Sequence, residues 1–116
     1  MSYHSEYNKY NAKKTILDGI TFDSKKESER YAELKFLERA NKISFLKLQE
    51  RFCLIPSFEH DGIKERATYY VADFYYFDRE KNCYVVEDTK GMRTPVYKLK
   101  RKMFLKCYPS IKFVEL

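Results

Sequence analysis

The spacing of apolar and polar positions changes period several times along the chain, and each change marks an element. Lys14-Thr15-Ile16-Leu17 and Ile20-Thr21-Phe22 flank Asp18-Gly19, the residue pair that best fits a two-residue hairpin turn. From Ser24 the pattern turns helical: Ser24-Lys25-Lys26-Glu27 is a capping box, and Tyr31, Leu34 and Leu37 follow at helical spacing to about Ala40. At about 100° per residue, Glu27 and Glu38 fall within the arc of these apolar residues, and Phe36 lies about 180° from Glu27. Glu27 then has two readings, as the capping acid reaching back to Ser24 or as an acid aimed at the sheet.

Beyond Asn41, the run Ile43 to Ile55 reads as one long strand or a bent pair of short ones, ended by Pro56. Ser57 to Arg66, with Asp61-Gly62 near its middle, reads as a polar loop. Tyr69 to Tyr76 is a strand whose apolar run only Asp73 interrupts, and Tyr84-Val85-Val86 is another that runs straight into Glu87-Asp88-Thr89-Lys90-Gly91. Thr94-Pro95 starts a helix expected to reach about Cys107, with Val96, Leu99, Met103 and Cys107 as its inner stripe. Pro109 stops it, and Ile111 to Leu116 makes a last strand. Helix, three strands, helix and strand after a hairpin predict an α/β fold layered around a mixed sheet.

The acids are where this pattern acquires chemistry. Alternation along an extended strand puts Asp88 and Lys90 on one face and Glu87 and Thr89 on the other. If the two acid-bearing strands pair through Phe77 to Asn82, Asp73 comes near Asp88. Two carboxylates at one spot repel unless a cation or a proton lies between them.

Composition narrows the partner. The 116 residues suffice for one domain, with 1–12 expected as a mobile arm, and 23 basic against 17 acidic residues give +6, which favours a polyanion. The tyrosines interleaved in residues 1–12, as at Lys9-Tyr10, suit stacking on bases and pairing with phosphates, with the basic arm around Lys9, Lys13 and Lys14 expected to grip DNA, the alternative being a solvated tail. Lys98, Arg101 and Lys102 form a face of the second helix that is either simply solvated or a phosphate track. Lys100 falls among Val96, Met103 and Phe104, so it snorkels past the core edge or points to a buried anion. Cys53, Cys83 and Cys107 look like small buried hydrophobes, and with only His4 and His60 they match no zinc spacing. Three glycines are too few for a nucleotide cradle. With no signal peptide and no bilayer-length apolar run, a reducing cytosol and no membrane partner are expected.

Glutamate on the first helix, aspartate on the second core strand, and acid-any-lysine ending the third is the residue order of the PD-(D/E)XK nuclease superfamily, here Glu27, Asp73 and Asp88-Thr89-Lys90. The chain also resembles a phage and prophage family of small nuclease-like proteins within it. That closer resemblance rests on Lys9 to Lys14, Asp18 to Glu27, Gln49, Ala72-Asp73-Phe74, and Glu87 to Gly91 with the lysine-rich helix after it. The resemblance implies a restriction-endonuclease-like αβββαβ core with a mixed sheet flanked by helices. It also implies Mg²⁺-dependent cleavage of DNA, Mn²⁺ substituting, on branched recombination intermediates in a bacterial host's cytoplasm. Its site would comprise Glu27, Asp73, Asp88 and Lys90, with Gln49 and Lys100 as accessories. In one respect the sequence departs from the pattern: Glu87 stands where an apolar residue is usual, so either Glu87 or Asp88 is the ligand.

The residue types suit that chemistry by themselves. Mg²⁺ takes oxygen ligands and keeps several waters, so Asp73, Asp88, Glu27 and the Thr89 carbonyl form a suitable donor set. Lys90 beside a bound water would orient it and steady developing negative charge. A homodimer is the simplest geometry that places two such sites on one junction. Two other classes fit the same scaffold: an inactive DNA-binding module whose acids pair with Lys90 and Lys100, and a phage replication adaptor without DNA affinity.

Overall fold

A computed structural model describes residues 14–89 and 93–116. The expected arm, with Lys9 and Lys13, and also Lys90 and Gly91, lies outside the described residues. Strands β1 (Thr15–Leu17) and β2 (Ile20–Phe22) form the N-terminal hairpin. Its turn residues Asp18 and Gly19 both take positive φ, 53° and 75°, as a type I′ turn demands. Helix α1 (Lys25–Arg39) starts where the capping box predicts, with the Ser24 hydroxyl accepting from the Glu27 amide at 3.1 Å.

The main sheet runs in the order β3 (Ile43–Ile55), β6 (Thr68–Asp78), β7 (Cys83–Asp88), β8 (Lys112–Glu115), antiparallel except for the last, parallel pair. Helix α2 (Pro95–Cys107) makes the crossover between β7 and β8. The fold is therefore mixed α/β, a four-stranded sheet flanked by two helices, with the hairpin in front. Residues 57–66 are not the polar loop that their composition predicts. They fold as a small hairpin of β4 (Phe58–His60) and β5 (Ile63–Glu65), turning at Asp61-Gly62 with both φ positive. The same turn chemistry that marks β1–β2 operates there, on strands too polar to announce themselves.

Two apolar clusters fill opposite faces of the sheet, as the neighbours Val85 and Val86 show by joining different ones. Tyr31 and Leu34 of α1 pack on Phe74, Tyr76 and Val85, whereas Tyr97 and Phe104 of α2 pack on Phe52, Leu54, Tyr70, Ala72 and Val86. Residues two apart in a regular strand share a face, yet Tyr70 and Ala72 lie under α2 while Phe74 and Tyr76 lie under α1. In β3 the same change separates Leu46 and Leu48 from Phe52 and Leu54. The β3–β6 ribbon thus rolls over at Gln49 and Asp73. Gln49 has φ 53°, a left-handed conformation that costs a non-glycine residue about 1–2 kcal/mol.

The second helix turns a different face inward from the one expected. Val96 and Leu99 are 63% and 58% exposed and Cys107 is also exposed, while Tyr97 and Phe104 are buried and Met103 and Tyr108 half-buried. Aromatic rings bury more area per residue than aliphatic ones. Phe104 accordingly lies 5.1 Å from both Phe52 and Tyr70 and 5.2 Å from Tyr108, which fixes the rotation of the helix. Cys53 and Cys83 are half-buried, so the cysteines are not the buried hydrophobes their neighbours suggest.

Candidate functional site

Glu27, Gln49, Asp73 and Thr89 meet where the ribbon rolls over, each brought by a different element. The first turn of α1 buries Glu27 to 6% exposure, and its carboxylate faces the sheet, accepting from Gln49 Nε2 at 3.2 Å. The same nitrogen donates to Asp73 Oδ1, also at 3.2 Å, so one amide bridges two buried carboxylates. The other oxygen of Asp73 accepts from both the amide and the hydroxyl of Thr89 at 2.8 Å. Asp73 therefore accepts hydrogen bonds from donors on two residues, with no lysine or arginine of the described residues paired to it. That arrangement suits an oxygen donor fixed in direction.

Asp88, 1% exposed, accepts from the Tyr70 hydroxyl at 2.5 Å. Burial and this bond push the Tyr70 phenol well above its usual range, so it remains a proton donor. Asp73 and Asp88 thus have different hydrogen-bond partners although they lie on neighbouring strands. Among the described residues no group of three or more His, Cys, Asp or Glu is placed to hold a metal ion.

Glu87 lies on the α1 face and is committed elsewhere. Arg30 grips it with two parallel bonds of 2.7 Å, Nε to Oε1 and Nη2 to Oε2, and the Tyr76 hydroxyl donates to the same Oε2. The bond to Glu87 holds the Arg30 guanidinium well above its ordinary pKa. Of the lysines, Lys98, Lys102 and Lys14 are exposed, and Lys100 is half-buried. Sequence pattern did not single out Arg30, Tyr70 or Tyr76. Arg30 is one helical turn after Glu27, which signals the same inward side, but nothing in the sequence shows a tyrosine hydroxyl turned to a buried acid.

At the end of β8, Glu115 accepts from the Tyr97 hydroxyl at 2.5 Å and from Arg93 Nε at 3.2 Å, and it lies 3.5 Å from Arg101 Nε. The Tyr97 bond first, and then the arginines, draw the Glu115 carboxyl below its usual pKa against the opposing effect of burial. A lowered folded-state pKa stabilises above the unfolded value of about 4.3 and loses that stability as pH falls through the folded value. Tyr97→Phe is therefore expected to cost about 1 kcal/mol at pH 7, a figure reduced for the partial exposure of Glu115. Urea unfolding at pH 7 and pH 3 checks this, since the gap between parent and variant should shrink at pH 3.

These elements define a mixed α/β domain with buried acids gathered at one end of its sheet. The chain belongs to a family described as a protein of unknown function (DUF1064), whose sequence profile matches residues 7–115. No curated protein and no solved structure matches it. No helix among the described residues is long and apolar enough to cross a membrane.

Proposed function

We propose that the chain is a Mg²⁺-dependent DNA endonuclease of the PD-(D/E)XK type, phage-encoded and acting on branched or recombination-intermediate DNA. The observation that carries this reading is the bridge from Gln49 to Glu27 and Asp73, with Thr89 holding Asp73 from the strand that carries Asp88. Folding has spent a left-handed residue to place that amide between two buried acids, as strained backbone at working sites often does.

The donor chemistry fits magnesium better than a metal needing an all-protein cage. Mg²⁺ takes one or two carboxylates and completes its shell with water and phosphate oxygens, and each carboxylate has lone pairs beyond those used by Gln49 and Thr89. No three of these acids converge as a ready-made cage, so two carboxylates, Asp73 and Asp88, would hold the ion, with Glu27 reaching it through a water and the Thr89 carbonyl as a further ligand. When bound, the ion would activate a water and offset charge on the phosphate. Thr89 and Gln49 fix the direction of the carboxylates, and Lys90, in the role the resemblance implies, would steady the charge that develops. Glu87 is left out, because its oxygens serve Arg30 and Tyr76.

One observation favours a second reading. The acids are already satisfied by protein donors, which suits an inactive DNA-binding module on the same scaffold. Incubating the chain with a four-way junction and with a linear duplex of the same sequence, in Mg²⁺, Mn²⁺ or EDTA, separates them. The nuclease cuts only with metal and prefers the junction. A binding module retards both DNAs with or without metal and cuts neither, and an adaptor does neither. Light scattering should give the mass of a homodimer, for which the 63%-exposed Phe36 on the outer face of α1 is a suitable contact.

A further inference from the structure

An open cavity of about 530 Å³ lies beside α2 and the end of β8, lined by Arg93, Lys98, Arg101 and Lys102 together with Tyr97 and Glu115. Four cations face one carboxylate, leaving an excess of three positive charges. Glu115 is engaged by Tyr97 and Arg93. Arg101 Nε is buried without a hydrogen-bond partner, since Glu115 Oε1 at 3.5 Å is within ion-pair reach but not in hydrogen-bond geometry. Its guanidinium lies over the Phe113 ring, 5.4 Å from the centroid, which holds its plane. Lys98 and Lys102, one turn apart on α2, are exposed and form no ion pair among the described residues. An arginine side chain that is 39% exposed and whose Nε lacks an acceptor, beside the unpaired Lys98 and Lys102 in an open cavity, is a site for an anion with several oxygens.

The cavity adjoins the acids. Glu115 is the register partner of Asp88 across the parallel β7–β8 pair, and the Leu116 amide donates to the Asp88 carbonyl at 2.9 Å. We propose that this cavity binds a backbone phosphate of the DNA strand beside the one the acids act on, with Arg101 as its central donor and Lys98 and Lys102 continuing the track. The choice of DNA as the source of that phosphate rests on the nuclease reading.

Two measurements test it, both on Asp73→Asn protein without divalent metal so that no strand is cut. Inorganic phosphate is titrated while the arginine Nε–H signals are followed by NMR, and duplex affinity is measured by fluorescence anisotropy across a salt series. The Arg101 signal should move with phosphate, Arg101→Ala should weaken DNA binding roughly tenfold, and Lys98→Ala/Lys102→Ala should flatten the slope of log K against log salt by about two. The double variant changes only exposed side chains, so it stays informative if Arg101→Ala fails to fold. An unmoved Arg101 signal overturns the cavity, whatever the lysines do. A moved signal with unchanged DNA affinity and slope makes it a small-anion site and overturns the DNA assignment. If the slope flattens as expected but the parent never cuts with Mg²⁺, the nuclease reading falls and the cavity stands. Conversely, if the parent cuts while every cavity variant keeps parental affinity and slope, the cavity assignment falls and the nuclease reading stands.

Discussion

Asp73→Asn is expected to abolish Mg²⁺-dependent cleavage, a fall of roughly 10³-fold or more, while the protein still unfolds cooperatively. The size follows from position. Losing a partner that only orients a metal ligand costs about 10–100-fold, and in the proposed reading Asp73 is the ligand itself. Gln49→Ala should therefore fall in that smaller range, because Thr89 still directs Asp73 when the amide is gone. Stability in Asp73→Asn should change by no more than about 1–2 kcal/mol. An Asn oxygen can keep the Thr89 bonds, but its amide would then face the Gln49 amide, and turning Gln49 around to relieve this breaks the Gln49 bond to Glu27. Initial rates on a four-way junction, with urea unfolding of the same samples, give both numbers. Parental cutting by Asp73→Asn would move the site elsewhere.

Arg30→Ala should be the most damaging single change to stability outside the aromatic core. It strands Glu87, 1% exposed, with the Tyr76 hydroxyl left to hold its charge. Breaking a buried pair from one side costs about 3–5 kcal/mol, and each kcal/mol lowers the Tm of a domain this size by roughly 4–8 °C. Removing both charges is a different matter. Arg30→Met/Glu87→Leu should recover most of the loss, since apolar side chains of similar volume replace a buried pair at little net cost. The double variant also settles which acid serves the metal: if it folds and still cuts, Glu87 is structural, and if it folds and cannot cut, Glu87 belongs to the site.

Much of the architecture is legible along the chain, and for reasons that are local. The Asp18-Gly19 turn needs two positive φ values that few residue pairs accept. The start of α1 is written in Ser24 and Glu27, and its buried face in Tyr31 and Leu34. Asp73 and Asp88 stand out because acids interrupt runs that are otherwise apolar. Local rules failed where competing faces had to be weighed. On α2 the aliphatic stripe and the aromatic one are both helical in period, and only the rings waiting on β3, β6 and β8 decide between them.

What the sequence determined by itself is the set of elements, their order, and the acids each carries, because turns, caps and periodicity act within a few residues. Tertiary structure decided which acids meet and what holds each of them. Glu87 and Asp88 are adjacent in sequence and opposite in fate, one locked to Arg30 and Tyr76 under α1, the other turned to Tyr70 on the α2 side. Gln49 gains its place between Glu27 and Asp73 only because the β3–β6 ribbon rolls over there, carrying residues of one parity from one face of the sheet to the other. A twofold alternation cannot foretell such a reversal, since it is set by two helices packing on opposite faces of one long ribbon.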